Sequence, residues 1–182
     1  MHPAEVQMAL AGARCLVDTR EQPNPRLRER LKQIGLPVER RALPFGDYSI
    51  VVPLPDGTEL DLSDKVVVER KMGADEIIMC YTRERDRFER EFERAKEAGA
   101  RIYLLLENCS WEIFYGGRYR SRMKPRSLVS SIWAWTERYD CIPLMCNERS
   151  GGLVIRDCLL WAARERLNQY DGGEQNGQVP HI

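Results

Sequence analysis

The residues of this chain best suited to chemistry lie in three short strings: Gly46-Asp47-Tyr48, Glu69-Arg70-Lys71, and Asp75 after a gap of three residues. Glu69 and Lys71 are two apart, so on a strand they share one face while Arg70 takes the other. Val66-Val67-Val68 precede them, which makes the strand buried until its charged end. Hard cations such as Mg2+ take oxygen ligands, commonly one or two carboxylates with waters. A strand opening at Asp47 beside the one ending at Lys71 would let Asp47 and Glu69 share such a cation. A cation there acidifies water and offsets charge on phosphorus, which suits phosphodiester hydrolysis. Lys71 can orient the water or meet a phosphate oxygen. Plainer readings stand beside these: an incidental ion pair at a solvated strand end for Glu69 and Lys71, and turn chemistry after Gly46 for Asp47.

Further acids close other strands. Asp18 and Glu21 end the first, and Glu107 ends a later buried one. Asp75 falls in the first turn of a helix, where the helix dipole favours an acid on its own account. A metal role and a purely local role are both open for it.

The elements that must position these residues follow from periodicity. Arg14–Asp18 reads as a short buried strand, and Asn24–Ile34 as a helix stopped by Gly35. Strands are expected at Val38–Leu43 and Asp47–Val52, with Thr58–Leu62 returning from the Asp56-Gly57 turn. Lys65–Lys71 is a central strand, and a helix follows at Ala74–Met79. Arg83–Ala98 is highly charged, yet Phe88, Phe92 and Ala95 recur at helical spacing. Arg101–Glu107 is a buried strand, and Trp111–Tyr119 reads as a loop or hairpin. Pro125 opens a helix to Tyr139, Cys141–Cys146 is a last strand and Leu153–Leu167 a last helix. Alternating strands and helices with one early hairpin predict an α/β fold of three layers, α/β/α, around a mixed central sheet. The expected division is an N-terminal extension over residues 1–13, one domain over 14–168 and a disordered tail over 169–182.

Composition narrows the class. The chain has 182 residues, 43% hydrophobic and 31% charged, enough for one cored domain. No stretch approaches the roughly 20 apolar residues of a membrane span, and no secretory leader is evident, so a cytoplasmic setting is expected. Cys15, Cys80, Cys109, Cys141, Cys146 and Cys158 are scattered without a CxxC pair, which fits reduced thiols and not a zinc site. Lys and Arg total 28, as do Asp and Glu. That balance decides little, because an acid-rich metal site would offset a basic surface.

Taken together, Leu43-Pro44-Phe45-Gly46-Asp47-Tyr48, Glu69-Arg70-Lys71 with Asp75, and Val17-Asp18-Thr19-Arg20-Glu21 resemble the XPF/Hef family of structure-specific endonucleases. The likeness continues through Arg87-Phe88, the strand closing on Glu107 and the helix opened by Pro125, from about Arg14 to Leu167. It implies a restriction-endonuclease-like fold and Mg2+- or Mn2+-dependent cutting of branched, flapped or nicked DNA, in repair or recombination. The family's catalytic roles then fall on Asp18, Asp47, Glu69, Lys71 and Asp75, with Arg70 supporting. Metal ligation falls on Asp47, Glu69, Asp18 and Asp75, and Glu21 and Glu107 match family acids of less defined role. Relatives carry a tandem helix–hairpin–helix module after the nuclease, where this sequence has a short polar tail. That departure leaves room for a separate DNA-targeting partner and a bacterial or phage-encoded setting. Two alternatives are a catalytically silent DNA-binding partner subunit and a restriction-like or junction-resolving nuclease on the same fold.

Two surfaces could serve partners. Arg118, Arg120, Arg122, Lys124 and Arg126 recur at every second position, which in an extended loop lines one edge for a phosphate backbone; a solvated basic loop is the alternative. In the helix after Pro125, Leu128, Ile132, Trp135 and Tyr139 form one stripe, while Val129 and Trp133 lie off it. Relatives dimerise through the nuclease domain, so a homodimer interface is expected around Trp133, with burial inside one chain as the competing account.

Overall fold

Strands and helices alternate along residues 1–170, the part of the chain that the computed structural model describes. In order they are α1 (Pro3–Ala11), β1 (Arg14–Asp18), α2 (Pro25–Ile34), β2 (Val38–Arg41), β3 (Tyr48–Pro53), β4 (Glu59–Asp61) and β5 (Val66–Lys71). There follow α3 (Ala74–Tyr81), α4 (Arg85–Glu97), β6 (Arg101–Glu107), α5 (Trp111–Tyr115), α6 (Pro125–Tyr139), β7 (Ile142–Cys146) and α7 (Gly151–Asn168). The strands form one sheet in the order β2-β1-β3-β5-β6-β7, with β4 paired to β3 off this path.

The sheet is mixed, and the mixture places the site. β1–β2, β5–β6 and β6–β7 run parallel, whereas β3 is antiparallel to β1, β4 and β5. The start of β3 therefore lies at the same edge as the ends of β1, β5 and β6. Registers Val17↔Tyr48 and Tyr48↔Val68 fix that alignment. The loop residue Asp47 extends it: its N–H donates to Val68 O at 2.8 Å, and its own carbonyl accepts from Asp18 N–H at 2.9 Å.

Helices cover both faces, giving the three-layer α/β/α arrangement. One core gathers Val17, Tyr48, Ile50, Val66, Val68 and Leu105 with residues of α1, α2 and α7. The other gathers Val67, Leu104 and Leu106 with Phe88, Phe92, Leu128, Ile132 and Trp135. Alternate valines of β5 thus feed opposite cores, as strand geometry requires. Burying a ring such as fully enclosed Phe92 contributes about 2–3 kcal/mol.

Local chemistry explains the boundaries. Asn24 caps α2 by accepting from Leu27 N–H, Pro25 opens it, and Gly35 closes it with a left-handed φ of 65°. Trp111–Tyr115 is a short helix rather than the expected loop or hairpin, because Ser110 caps it through Ile113 N–H before Gly116 ends it. β2 is shorter than its expected run to Leu43. The residues before Arg14 form α1, whose Val6, Ala9 and Leu10 are buried in the same core as α7. The expectation for the tail from residue 171 onward lies outside the described residues.

All six cysteines are free thiols. Burial pushes Cys15, Cys109, Cys141 and Cys158 up to about 12, so they stay protonated and inert. Among the described residues no helix is long and apolar enough to cross a membrane.

Candidate metal and nucleic-acid site at the sheet edge

Gly46 makes the turn that presents Asp47. Its φ is 70°, and a Cβ there would sit 2.8 Å from Val67 Cβ, so both the backbone conformation and the close approach require glycine. Its N–H donates to Glu91 Oε1 at 2.9 Å, which ties the turn to α4. Asp47 Oδ2 then accepts the N–H of Arg70 at 2.8 Å, holding the carboxylate against the end of β5.

Glu69 and Lys71 follow on the face of β5 that carries Val67. Both are buried, and Lys71 Nζ donates to Glu69 Oε1 at 2.5 Å. The same ammonium lies 5.2 Å from the centre of the Phe88 ring, a favourable cation–ring contact. Burial works to lower the Lys71 ammonium, but the charge of Glu69 overcomes it and holds the group above its ordinary value. Lys71 is therefore a cation at neutral pH and no base.

The carboxyls are strained electrostatically. Burial pushes Asp47 well above the usual carboxylate range, and the neighbouring Glu69 charge adds to the push. Glu69 is raised by burial too, with Lys71 opposing and Glu91 reinforcing. Among the described residues, Asp47 Oδ1 and Glu69 Oε2 accept no hydrogen bond. Two neighbouring carboxylates, Glu69 buried and Asp47 half-buried, have one lysine, held by Glu69; they are short of positive charge, and each keeps an oxygen available. That donor set fits a hard divalent cation. Among the described residues no three His, Cys, Asp or Glu side chains are grouped to enclose a metal alone. One or two carboxylates, with water and a substrate phosphate completing the shell, is how Mg2+ is commonly held.

The other residues expected here divide between nearby and distant. Asp18 is buried at the end of β1, where Oδ1 accepts from Arg20 Nε and N–H at 2.7 Å and Oδ2 from Leu43 N–H at 2.7 Å. Burial works to raise it, but those bonds leave it below the ordinary range. Asp18 is thus engaged by the loop that follows it and by the segment after β2. Asp75 is engaged as well, by Arg120 and Ser121. Arg70 and Glu107 lie on the opposite face of the sheet. Arg70 Nη1 donates to Glu107 Oε2 at 3.0 Å, and Arg30 Nε donates to Glu107 Oε1 at 3.2 Å. Arg30 Nη1 also reaches Tyr48 Oη at 3.1 Å, and that hydroxyl donates to Glu21 Oε2 at 3.0 Å.

Three participants were not picked out from the sequence. Arg20 bridges Asp18 and the carbonyl of Gly46, with Glu91 4.0 Å away. Glu91 belongs to α4 and Arg30 to α2. Both carried a signal, since each sits three residues after a buried apolar one (Phe88, Leu27) on a stripe that otherwise points to the core. A charged residue on a core-facing stripe needs a buried partner.

Arg118, Arg120, Arg122, Lys124 and Arg126 are all exposed, and the residues between them, Tyr119, Ser121, Met123 and Pro125, are partly covered. Arg126 lies in the first turn of α6 and the other four in the preceding loop. Val129 is buried with the main stripe of α6, whereas Trp133 is 47% exposed and stacks on Trp111 with ring centres 5.2 Å apart.

Residues 17–150 match the ERCC4 domain family. Among solved structures the chain is similar to XPF from Aeropyrum pernix, at 24% identity and a TM-score of 0.60, over 86% of this chain and 68% of that one. It is also similar to XPF from Aeropyrum pernix in complex with DNA, at 24% identity and a TM-score of 0.55, over 84% of this chain and 66% of that one. The chain spans about two thirds of the length of those structures. At this identity the likeness is one of fold, which is that of the XPF nuclease, restriction-endonuclease-like. No curated protein sequence matches the chain.

Proposed function

The chain belongs to the ERCC4 domain family, and from that membership we propose that it is a divalent-metal-dependent endonuclease hydrolysing phosphodiester bonds in branched, flapped or nicked DNA. The observation that carries the reading is the pairing of Asp47 and Glu69, two desolvated carboxylates with a charged lysine beside them at one sheet edge. The similar XPF from Aeropyrum pernix that was solved in complex with DNA supports DNA as the substrate.

In this reading Asp47 and Glu69 hold Mg2+ or Mn2+. The bound ion supplies Lewis acidity to the phosphate and a more acidic water. Lys71, fixed by Glu69 and kept charged, faces the phosphate oxygens and stabilises charge that builds during cleavage. Arg70 serves through its backbone, whose N–H orients Asp47, while its side chain anchors to Glu107. Asp18 acts through Arg20, holding that guanidinium beside the Gly46 turn. Arg118, Arg120, Arg122, Lys124 and Arg126 track the DNA backbone, without reading sequence. The stacked Trp111 and Trp133 offer a half-exposed apolar surface for a second copy, so the proposed assembly is a homodimer. Residues 14–168 constitute the nuclease unit of this proposal.

The test compares Mg2+ with EDTA on flap, fork, nicked and linear DNA. Cutting in Mg2+ alone, lost in both Asp47→Ala and Glu69→Ala with the fold intact, is the expected result. Activity surviving both substitutions defeats the mechanism.

A further inference from the structure

Asp75 follows Lys71 by only four residues, yet its carboxylate is taken up by the loop between α5 and α6. Oδ1 accepts the main-chain N–H groups of Arg120 and Ser121, each at 3.0 Å, and Oδ2 accepts Arg120 Nε at 3.2 Å. An acid near the start of a helix ordinarily serves the helix end itself. Here α3 has no side-chain cap, Glu76 reaches back past its start to accept Met72 N–H at 2.6 Å, and Asp75 turns to the loop. Within that loop, Tyr119 Oη donates to Met123 O at 2.8 Å, and Tyr119 and Met123 rest on the core. The basic side chains between them point to solvent.

We propose that Asp75 is a positioning residue that latches the arginine-bearing loop, residues 116–124, to the cutting edge, and is not a ligand of the metal; this rests on the endonuclease reading above. The parts of the contact do different work. Arg120 is 95% exposed and Asp75 42%, and an ion pair that open fixes little. The two amide bonds to Oδ1 fix the backbone at 120–121. The guanidinium is then free to leave Oδ2 for a DNA phosphate while the loop stays docked.

This division separates two substitutions that a metal ligand would not distinguish. Asn keeps an oxygen for the two amides, whereas Ala keeps none. Amide hydrogen exchange on the DNA-free protein is the first readout. Asp75→Ala is expected to speed exchange at Arg120 and Ser121 about 10-fold, the scale of hydrogen bonds to a charged acceptor, and Asp75→Asn to change it little. The second readout is cleavage of a labelled flap substrate against DNA and Mg2+ concentration. Asp75→Ala should raise KM for DNA several-fold with the Mg2+ half-saturation point unmoved, and Asp75→Asn should stay near the parent. Equal inactivation by Asn and Ala with a raised Mg2+ requirement would overturn the proposal in favour of a ligand. Unchanged exchange in Asp75→Ala would dismiss the latch. Faster exchange with an unchanged KM would leave the loop no part in DNA binding and equally defeat it. If the parent protein cuts no DNA, the endonuclease reading fails, and with it the DNA role proposed for the loop, while exchange still decides separately whether Asp75 holds it.

Discussion

Glu107 and Asp47 stand at the same edge of one sheet, and their surroundings treat charge in opposite ways. Around Glu107, Arg30 and Arg70 provide two cations, with Glu21 as a second acid and the Tyr48 hydroxyl between them. The group is largely buried, with Glu21 at its partly exposed rim, and its charges balance. Around Asp47, Glu69 has Lys71, Asp18 is committed to Arg20, and Glu91 adds another negative charge. That group is short of positive charge. A balanced buried cluster needs no further charge, whereas an acid surplus at a sheet edge suits a cation from outside, as the proposed metal site requires. The proposed site is thus set apart by surplus charge rather than by burial alone.

Replacing one acid by its amide on each side would break or sharpen that contrast. Glu107→Gln leaves two buried guanidiniums short of a carboxylate, and is expected to destabilise the protein by about 3–5 kcal/mol in urea unfolding. Gly151 packs so tightly here that a Cβ would sit 2.3 Å from Glu107 Oε1, so the cluster has little room to rearrange. A loss below 1 kcal/mol would show that the cluster is not the balanced unit described.

Asp47→Asn should have the opposite sign. Asn can still accept the Arg70 N–H, and the variant removes a desolvated charge repelled by Glu69. In EDTA it is expected to be more stable than the parent in urea unfolding, while losing DNA cutting. Mn2+ should stabilise the parent protein and leave this variant unmoved; equal stabilisation of both would place the ion elsewhere.

The same carboxyl sets a pH dependence. Its folded value lies above its unfolded one, so the native state binds more protons between the two, and stability falls as pH rises through that window. The advantage of Asp47→Asn over the parent in EDTA should therefore grow as pH rises through that window and vanish below about pH 3, where both states of the parent are protonated. Asp18 and Glu39, held below their ordinary values, pull the other way, which is why the difference between the two proteins is what should be measured. An advantage that grew toward acid would contradict the assignment.

The smallest effect concerns the solvent side of the loop. Replacing Arg118, Arg120 and Arg122 by Ala should weaken DNA binding and lower the slope of log K against log salt by up to about 3. No change would reduce the strip to a solvated loop.

Much of this was legible in the chain. The central, valine-rich β5 ending in alternating charges was readable from the sequence, as was the turn at Gly46, whereas its registers with β3 and β6 were not. The α/β/α layering followed from the alternation of elements. Less legible was which acids would remain available. Nothing in the spacing of Asp75 reveals that the 120–121 backbone engages it, because that is a tertiary contact made by a loop, whereas Asp18 is engaged by Arg20 only two residues on and by the distant Leu43 N–H. The helix α5 was hidden because five residues are too few to show a period, and only the Ser110 cap betrays it. Glu91 and Arg30 were readable in principle, as charged residues on core-facing stripes.

The claim on which the rest depends is that Asp47 and Glu69 jointly hold a divalent cation. Anomalous diffraction from crystals grown with Mn2+ tests it most directly. The account predicts one strong peak at roughly 2.0–2.3 Å from a carboxylate oxygen of each residue, absent in Asp47→Asn crystals. A peak on other residues, or none at millimolar Mn2+, would contradict it.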